Sequence, residues 1–360
     1  MSVPDPTGER LRDHTTLRLG GPAGRFVVAT TEAELVEAVS TADAAGEPVL
    51  LLGGGSNLVV ADAGFAGTVV AVATTGLTSD TGDAGDAGGT DEATCGGALV
   101  TVAAGEDWDG FVAHAVERGW VGVEALSGIP GAVGSTPIQN VGAYGQDVAQ
   151  TIARVRVWDR VLNGVRTFAG PDCGFGYRSS RFKADRYDAW GGRHVVLDVT
   201  FQLAVGTLGA PVAYAELARA LGVEQGRRAP LADVRAAVLG LRGGKGMVLD
   251  ADDHDTWSAG SFFTNPIVPA SDVPAGAPSW PAGDGLAKTS AAWLIEHAGF
   301  GRGYGTGRAR VSTKHTLALT NRGDASTEDL LALAREVRDG VHAAFGITLV
   351  NEPVLVGCEL

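Results

Sequence analysis

The chain has 360 residues, 45% of them hydrophobic and 19% charged, enough to bury a sizeable core and to build two or three domains. A formal net charge of −14 argues against a nucleic-acid partner, which needs a basic face to release counterions. Small anions stay open, because a few placed cations and backbone N–H groups can hold them.

No run approaches the roughly 18 apolar residues of a membrane span. The start, MSVPDPTGER, lacks the basic-then-apolar pattern of an export signal, so a cytoplasmic location without membrane insertion is expected, and no obligate protein partner is evident. Cys95, Cys173 and Cys358 are scattered without a CxxC pair, too few for a disulfide framework or a Cys-rich zinc site. The 53 glycines have no collagen period and lie mostly between apolar runs, which reads as tight turns and backbone brought close to a ligand.

In chain order, RFVVA predicts a strand, and Thr31 with Glu34 predicts a capping box for a helix ending near Gly46. VLLLGGGSNLVV follows. Its glycines lead straight into another apolar β run rather than a helix, which excludes both the Rossmann fingerprint and the P-loop. Residues 78–97, TSDTGDAGDAGGTDEATCGG, are acidic, small and without periodicity and are expected to be a mobile surface loop. ALVTVAA predicts a strand and DWDGFVAHAVERG a short amphipathic helix. RVRVWDR should pair with VRTFA across Asn163-Gly164 in a type I′ hairpin, and HVVLDVTFQLA closes this part near Ala204. Beyond it the pattern turns helical: YAELARAL, LADVRAAVLGLR, KTSAAWLIEHAG, and TEDLLALAREVRDGVHAAF with Ser326 as its cap, with a short strand at TLALT. ITLVNEPVLVG is a strand again, so the C-terminus is expected to return to an earlier sheet.

The most unusual segment is SGIPGAVGSTPIQNVGAYGQDV, residues 127–148. Its glycines leave few side chains to pack, and such backbone can approach a diphosphate or a ring edge through N–H groups without a cation. Standing alone it is more often a connecting loop. Tyr177-Arg178 sits in a Gly-containing loop; an arginine fork suits a carboxylate, although a single arginine is more commonly a surface ion pair. Ser261 follows Gly260 and precedes two phenylalanines, placing a hydroxyl beside an apolar wall, where a turn or cap serine is the commoner case. Glu352 stands before Pro353 in a β run, awkward in a central strand and most simply an exposed strand end. Lys245 reads as a flexible loop lysine. His14, His114, His194, His254, His297, His315 and His342 show no zinc-ligand spacing.

These segments recur together in one known family. HTTLRLGGPA, VLLLGGGSNLVV, SGIPGAVGSTPIQNVGAYG, GYRSSRFK, SAGSFFTNP, KTSAAWLIEHAGF and NEPVLVG, in that order along nearly the whole chain, resemble UDP-N-acetylenolpyruvoylglucosamine reductase (UDP-N-acetylmuramate dehydrogenase), in the longer of its two types. The resemblance implies an α+β fold: a two-part FAD-binding domain of the vanillyl-alcohol-oxidase-like type and a C-terminal α+β substrate-binding domain. The corresponding boundaries are 1–75 and 76–205 for the FAD subdomains, 206–345 for the substrate domain and 346–360 for a strand returning to the FAD domain. It implies non-covalent FAD, NADPH as co-substrate and a UDP-sugar substrate reduced on the way to peptidoglycan.

Residue by residue, the resemblance makes Gly53, Gly54, Gly55, Ser56, Asn57 and Leu58 one flavin-holding loop, and Ser127, Gly128, Ile129, Pro130, Gly131, Ser135, Gly142 and Ala143 the other. Arg178 would bind the enolpyruvyl carboxylate, Ser261 would donate the proton and Glu352 would assist protonation. Tyr177, Tyr214, Lys245 and Asn265 match substrate-binding positions. Two departures stand out: Trp280 occupies a position where the family carries tyrosine, and an acidic stretch, MVLDADDHDTW, lengthens the interval between Lys245 and Ser261. Two other readings remain: an FAD oxidoreductase of the same fold acting on an alcohol or hydroxy acid, and a flavin- or nucleotide-sugar-binding regulator without catalysis.

Overall fold

A computed structural model describes residues 8–81, 97–188 and 191–360. It divides into two compact units. The first comprises the described residues up to Gly24, Gly55–Ala66 and Gly244–Leu360; the second comprises the described residues of Arg25–Gly54 and Gly67–Gly243. The chain therefore leaves one unit for the other inside the GGG run, and residues 206–243 group with the preceding sheet, not with the C-terminal segment as the sequence boundaries had it.

In the second unit, β1 (Ala23–Ala29) leads into α1 (Glu32–Ala45), then β2 (Val49–Leu52); β3 (Leu58–Val60) belongs to the first unit, and β4 (Phe65–Val72) completes a three-stranded sheet in the order β1-β4-β2. The Thr31–Glu34 capping box forms, and Gly46 closes the helix in the left-handed conformation, as read from the sequence. Leu35, Val39 and Ala42 of α1 pack on Ala29, Val49 and Val70 of that sheet.

A larger antiparallel sheet follows. β5 (Leu77–Thr81), β6 (Ala98–Ala103), α2 (Trp108–Glu117), β7 (Trp120–Val121), β8 (Gly142–Ala143), β9 (Gln146–Asp147), β10 (Ile152–Asp159), β11 (Gly164–Ala169), α3 (Arg181–Ala184) and β12 (His194–Val205) come in that chain order. The sheet runs β11-β10-β12-β6-β5, with β7 also on β12. Trp108, Phe111 and Phe201 fill its core, the last two stacked at 5.0 Å. Two expectations need correction. Residues 78–81 are not loop: Thr78 pairs with Thr101 and Asp80 with Leu99, because Leu77 is packed against the core and draws its neighbours into register. The remainder, residues 82–96, lies outside the described residues. The β10–β11 hairpin exists, but its register sets Asp159 opposite Gly164, so Gly164 is already strand. The connection is residues 160–163, with Asn163 at φ 50° and the Asp159 carboxylate accepting the N–H groups of Val161 and Leu162. That side chain makes the turn in place of an Asn-Gly type I′ pair.

The second unit ends with α4 (Ala215–Leu221) and α5 (Leu231–Gly244), whose Leu217, Val234 and Val238 pack with Ala125 and Val212.

In the first unit, β13 (Ile267–Pro269), β14 (Ser279–Pro281) and β15 (Leu286–Thr289) form a small sheet in the order β13-β15-β14. α6 (Ala291–His297) follows, so Lys288 and Thr289, read as helix from KTSAAWLIEHAG, are strand; Ser290 caps the helix after them. β16 (Ala309–Val311) and β17 (Leu319–Asn321) make a ribbon, and α7 (Thr327–Phe345) has the expected Ser326 cap. The last strand, β18 (Val354–Val356), runs parallel to β3. Phe262 and Phe263, both 1% exposed, form the core with Leu294, Leu330, Val337 and Val59; each such ring is worth about 1.5–3 kcal/mol of burial.

Candidate active site

In the second unit, the two glycine-rich loops meet. Gly53 and Gly54 follow β2, and a Cβ on Gly53 would lie 2.6 Å from Ser135 Oγ, one on Gly54 2.5 Å from Gly131 Cα. Neither position can carry a side chain without movement of its neighbour. The two loops thus form one cradle of bare backbone with small polar side chains at hand, suited to a phosphate-bearing cofactor. The Ser127 hydroxyl donates to Glu124 O at 2.7 Å, and the Gly128 N–H donates to Asp109 Oδ1 at 2.6 Å, so these two donors fix the loop. Ile129 packs against the core. Gly55, Ser56, Asn57 and Leu58 lie in the first unit, where Gly55 O accepts from Thr16 N–H and Asn57 O from Val354 N–H.

Asp109 belongs to α2 and is also held by Arg235 of α5 at 2.7 and 2.9 Å. Burial pushes its carboxyl up, but Arg235 and the Gly128 N–H outweigh that and leave it below the ordinary carboxylate value.

Arg178 sits at the tip of a tight turn. Gly176 and Ser179 exchange backbone hydrogen bonds at 3.0 and 3.3 Å, leaving Tyr177 and Arg178 as the two central residues, and Arg178 has φ 52°. Glycine is the default there, so the arginine sits in a strained conformation. Its Nη2 donates to Gly142 O at 3.3 Å. Gly142 and Ala143 form β8, joined to β9 by Tyr144 at φ 51° and Gly145 at φ 89°, the φ signs of a type I′ turn. A Cβ on Gly145 would lie 2.6 Å from Ala213 Cβ, and the Tyr144 ring meets Tyr214 edge-on at 6.2 Å. The second unit therefore gathers Arg178, Gly142, Ala143 and Tyr214 in one region, with Tyr177 exposed beside them. Arg242 of α5, 9% exposed, adds a further positive charge. Burial pulls its ionisation down, Tyr144 and Asp109 oppose that, and the like charge of Arg178 adds to it. This region is cationic on an acidic chain, which suits an anionic substrate.

In the first unit, Ser261 and Glu352 come together through their backbones. Phe262 N–H donates to Leu317 O at 2.7 Å, Glu352 N–H donates to Phe262 O at 2.8 Å, and Phe263 bridges Asn351. Both phenylalanines are buried, so the residue after Ser261 is held by its backbone and its ring, one hydrogen bond away from Glu352. Asn265 Oδ1 accepts the Ala291 N–H at 2.9 Å, tying it to the start of α6. Lys245 follows α5 and precedes Gly246, where a Cβ would meet Asp255 O at 2.9 Å. The acidic stretch after it is a built turn: Asp253 pairs with Lys314, and Asp255 holds Thr313 and Arg322. Trp280 is half exposed on β14 with Lys288 over its ring.

Sequence reading missed Asp109, Tyr144, Lys183, Arg235 and Arg242. Tyr144-Gly145 carried a turn signal; the others carried none, because their roles depend on partners far along the chain. Among the described residues no group of His, Cys, Asp and Glu could hold a metal, and no helix is long and apolar enough to cross a membrane.

A model of an FAD binding domain matches residues 23–164, the stretch that contains both cradle loops. The fold and the cradle define an FAD-dependent oxidoreductase. A model of the C-terminal domain of UDP-N-acetylenolpyruvoylglucosamine reductase matches residues 252–356, which include Ser261 and Glu352. UDP-N-acetylenolpyruvoylglucosamine reductase of Cutibacterium acnes is 58% identical over 349 residues, covering 96% of this chain and 89% of the relative. The enzyme of that name from Streptomyces avermitilis is 58% identical over 360 residues, covering 96% and 93%. The crystal structure of the reductase from Thermus caldophilus superposes with a TM-score of 0.62 at 25% identity over 97% of each chain. The chain belongs to the UDP-N-acetylenolpyruvoylglucosamine reductase family.

Proposed function

We propose that the protein reduces the enolpyruvyl ether of UDP-N-acetylenolpyruvoylglucosamine to the lactyl ether, UDP-N-acetylmuramate, with NADPH as reductant, in the supply of peptidoglycan precursors. FAD, bound non-covalently on the glycine cradle, supplies hydride chemistry that no side chain can perform. In net terms C3 of the enolpyruvyl group gains a hydride equivalent, C2 gains a proton, and NADPH leaves as NADP⁺. As negative charge builds at C2 and its carboxylate, the Arg178 guanidinium grips that carboxylate at two points. The Ser261 hydroxyl gives its proton to C2, and the Glu352 carboxyl supports that transfer. Tyr177, Tyr214, Lys245 and Asn265 hold the UDP-sugar. Lys245 brings charge, and Asn265, whose oxygen is engaged by α6, brings its amide nitrogen to a phosphate oxygen.

The observation that carries this reading is the backbone hydrogen bond from Glu352 to Phe262, which makes neighbours of two segments bearing the proposed proton donor and its partner. The test is anaerobic mixing of the flavin-loaded protein with NADPH and then with the enolpyruvyl sugar. Loss of the flavin absorbance in the first step, its return in the second and a product two hydrogens heavier are expected. Bleaching by NADPH with no recovery on the sugar overturns the assignment.

A further inference from the structure

We propose that Lys183 is a positioning residue for Arg178, linking the arginine turn to the second flavin-holding loop; the inference rests on the reading of Arg178 as the carboxylate grip. The Lys183 ammonium donates to the backbone carbonyl of Arg178 at 3.2 Å and to Gln139 Oε1 at 3.3 Å. The residues flanking Gln139 grip the same turn. Ser180 Oγ donates to Ile138 O at 2.6 Å, and Asn140 Nδ2 donates to Gly176 O at 3.1 Å. Three consecutive loop residues thus hold three points of the segment that presents Arg178.

Lys183 is itself fixed. It lies in α3, capped by Ser180, whose hydroxyl accepts the Lys183 N–H, and the preceding Phe182 is 2% exposed and packs edge-on against Phe168 at 5.7 Å. The Arg178 carbonyl that it binds belongs to the residue with φ 52°, a conformation that persists only where its surroundings over-determine it. A charged donor on that carbonyl is a stronger restraint than a neutral one. It sets the plane of the Arg178–Ser179 peptide and with it the direction in which the side chain leaves the turn. Because the other end of the bridge is Gln139, a shift of the flavin loop moves the arginine with it.

The test is Lys183→Met, which keeps most of the stem and removes the donors, measured in both halves of the cycle and in an Arg178→Ala background. Flavin content and bleaching by NADPH should stay at wild-type level. Flavin recovery with the enolpyruvyl sugar should slow about 10- to 100-fold, the effect of a small misplacement of a positioning group. In the Arg178→Ala background the same change should add nothing beyond a factor of about two, since Lys183 then has no arginine to place. Equal slowing in both backgrounds, or slowing of both halves, overturns the proposal. If Lys183→Met loses flavin, Lys183→Gln, which retains a neutral donor, decides: flavin retention with slowed recovery supports the bridge, and loss of flavin there too makes Lys183 a structural residue and overturns it. Wild-type recovery in Arg178→Ala alone would instead sink the reading of Arg178 itself.

Discussion

Glu352 donates its backbone N–H to the carbonyl of Phe262 at 2.8 Å, so the residue after Ser261 is hydrogen-bonded to the residue before Pro353. Phe262 also donates to Leu317, and its ring is buried. The peptide carrying Ser261 is therefore held from both sides, and the serine hydroxyl can be removed without loosening the segment, because neither restraint passes through it.

That separation makes Ser261→Ala informative. Reduction of the flavin by NADPH involves no proton from Ser261 and should remain near wild type. Recovery with the enolpyruvyl sugar should slow by roughly 10² to 10⁴, the usual worth of a positioned general acid, or about 3–5 kcal/mol in the barrier. Rapid mixing under nitrogen measures both phases. Equal slowing of the two, or of neither, counts against Ser261 as the proton donor.

Gly54→Ala tests the cradle. The added Cβ would stand 2.5 Å from Gly131 Cα and 3.1 Å from Gly131 C, backbone atoms that cannot rotate away, and overpacking of this kind costs about 1–3 kcal/mol. Separation of the two loops should show as weaker FAD binding, read by flavin titration of apoprotein. An FAD affinity equal to wild type would remove these glycines from the cofactor site.

What the sequence made legible was local. The Thr31–Glu34 box and the Ser326 cap are set by residues within one turn, and both form. The glycines of the two loops were visible one position at a time, but their pairing came from the family resemblance, since each loop standing alone reads as a connection. The Asn163-Gly164 turn was misread because its geometry is set by the Asp159 carboxylate, a polar group that looked like an ordinary strand end. Asp109 with Arg235, and Lys183 with Gln139, were silent for a different reason. Each joins segments far apart in sequence, and no spacing rule foretells which helix residue will meet which loop.

The Asp109–Arg235 pair gives a pH dependence. The folded carboxyl lies below its ordinary value of 3.8, burial opposing and Arg235 with the Gly128 N–H prevailing. A depressed carboxylate contributes stability above its ordinary value and loses it as pH falls through the folded value. Wild type should therefore be more stable than Asp109→Asn at pH 7, and the gap should close as pH drops below 3.8. Melting temperatures of the two proteins across that range measure it. A gap that is constant with pH would show that the ionised carboxylate does not hold the loop.

Arg178 allows a comparison that separates conformation from charge. Its φ of 52° costs a non-glycine residue about 1–2 kcal/mol, which Arg178→Gly relieves while losing the hydrogen bond to Gly142 O, worth about 1 kcal/mol. Relief of the strained φ offsets part of what the side chain contributes, so Arg178→Gly should remain folded and keep its flavin. Arg178→Lys keeps both the charge and the strained φ but replaces a planar two-point fork with a point charge. Both variants should be reduced by NADPH at wild-type rate, and both should be severely slowed in recovery with the enolpyruvyl sugar. If Arg178→Lys recovers at close to the wild-type rate, a positive charge alone suffices and the two-point grip is excluded. If Arg178→Gly does so, the side chain has no part in the reaction, and the left-handed turn must be explained by something other than the substrate carboxylate.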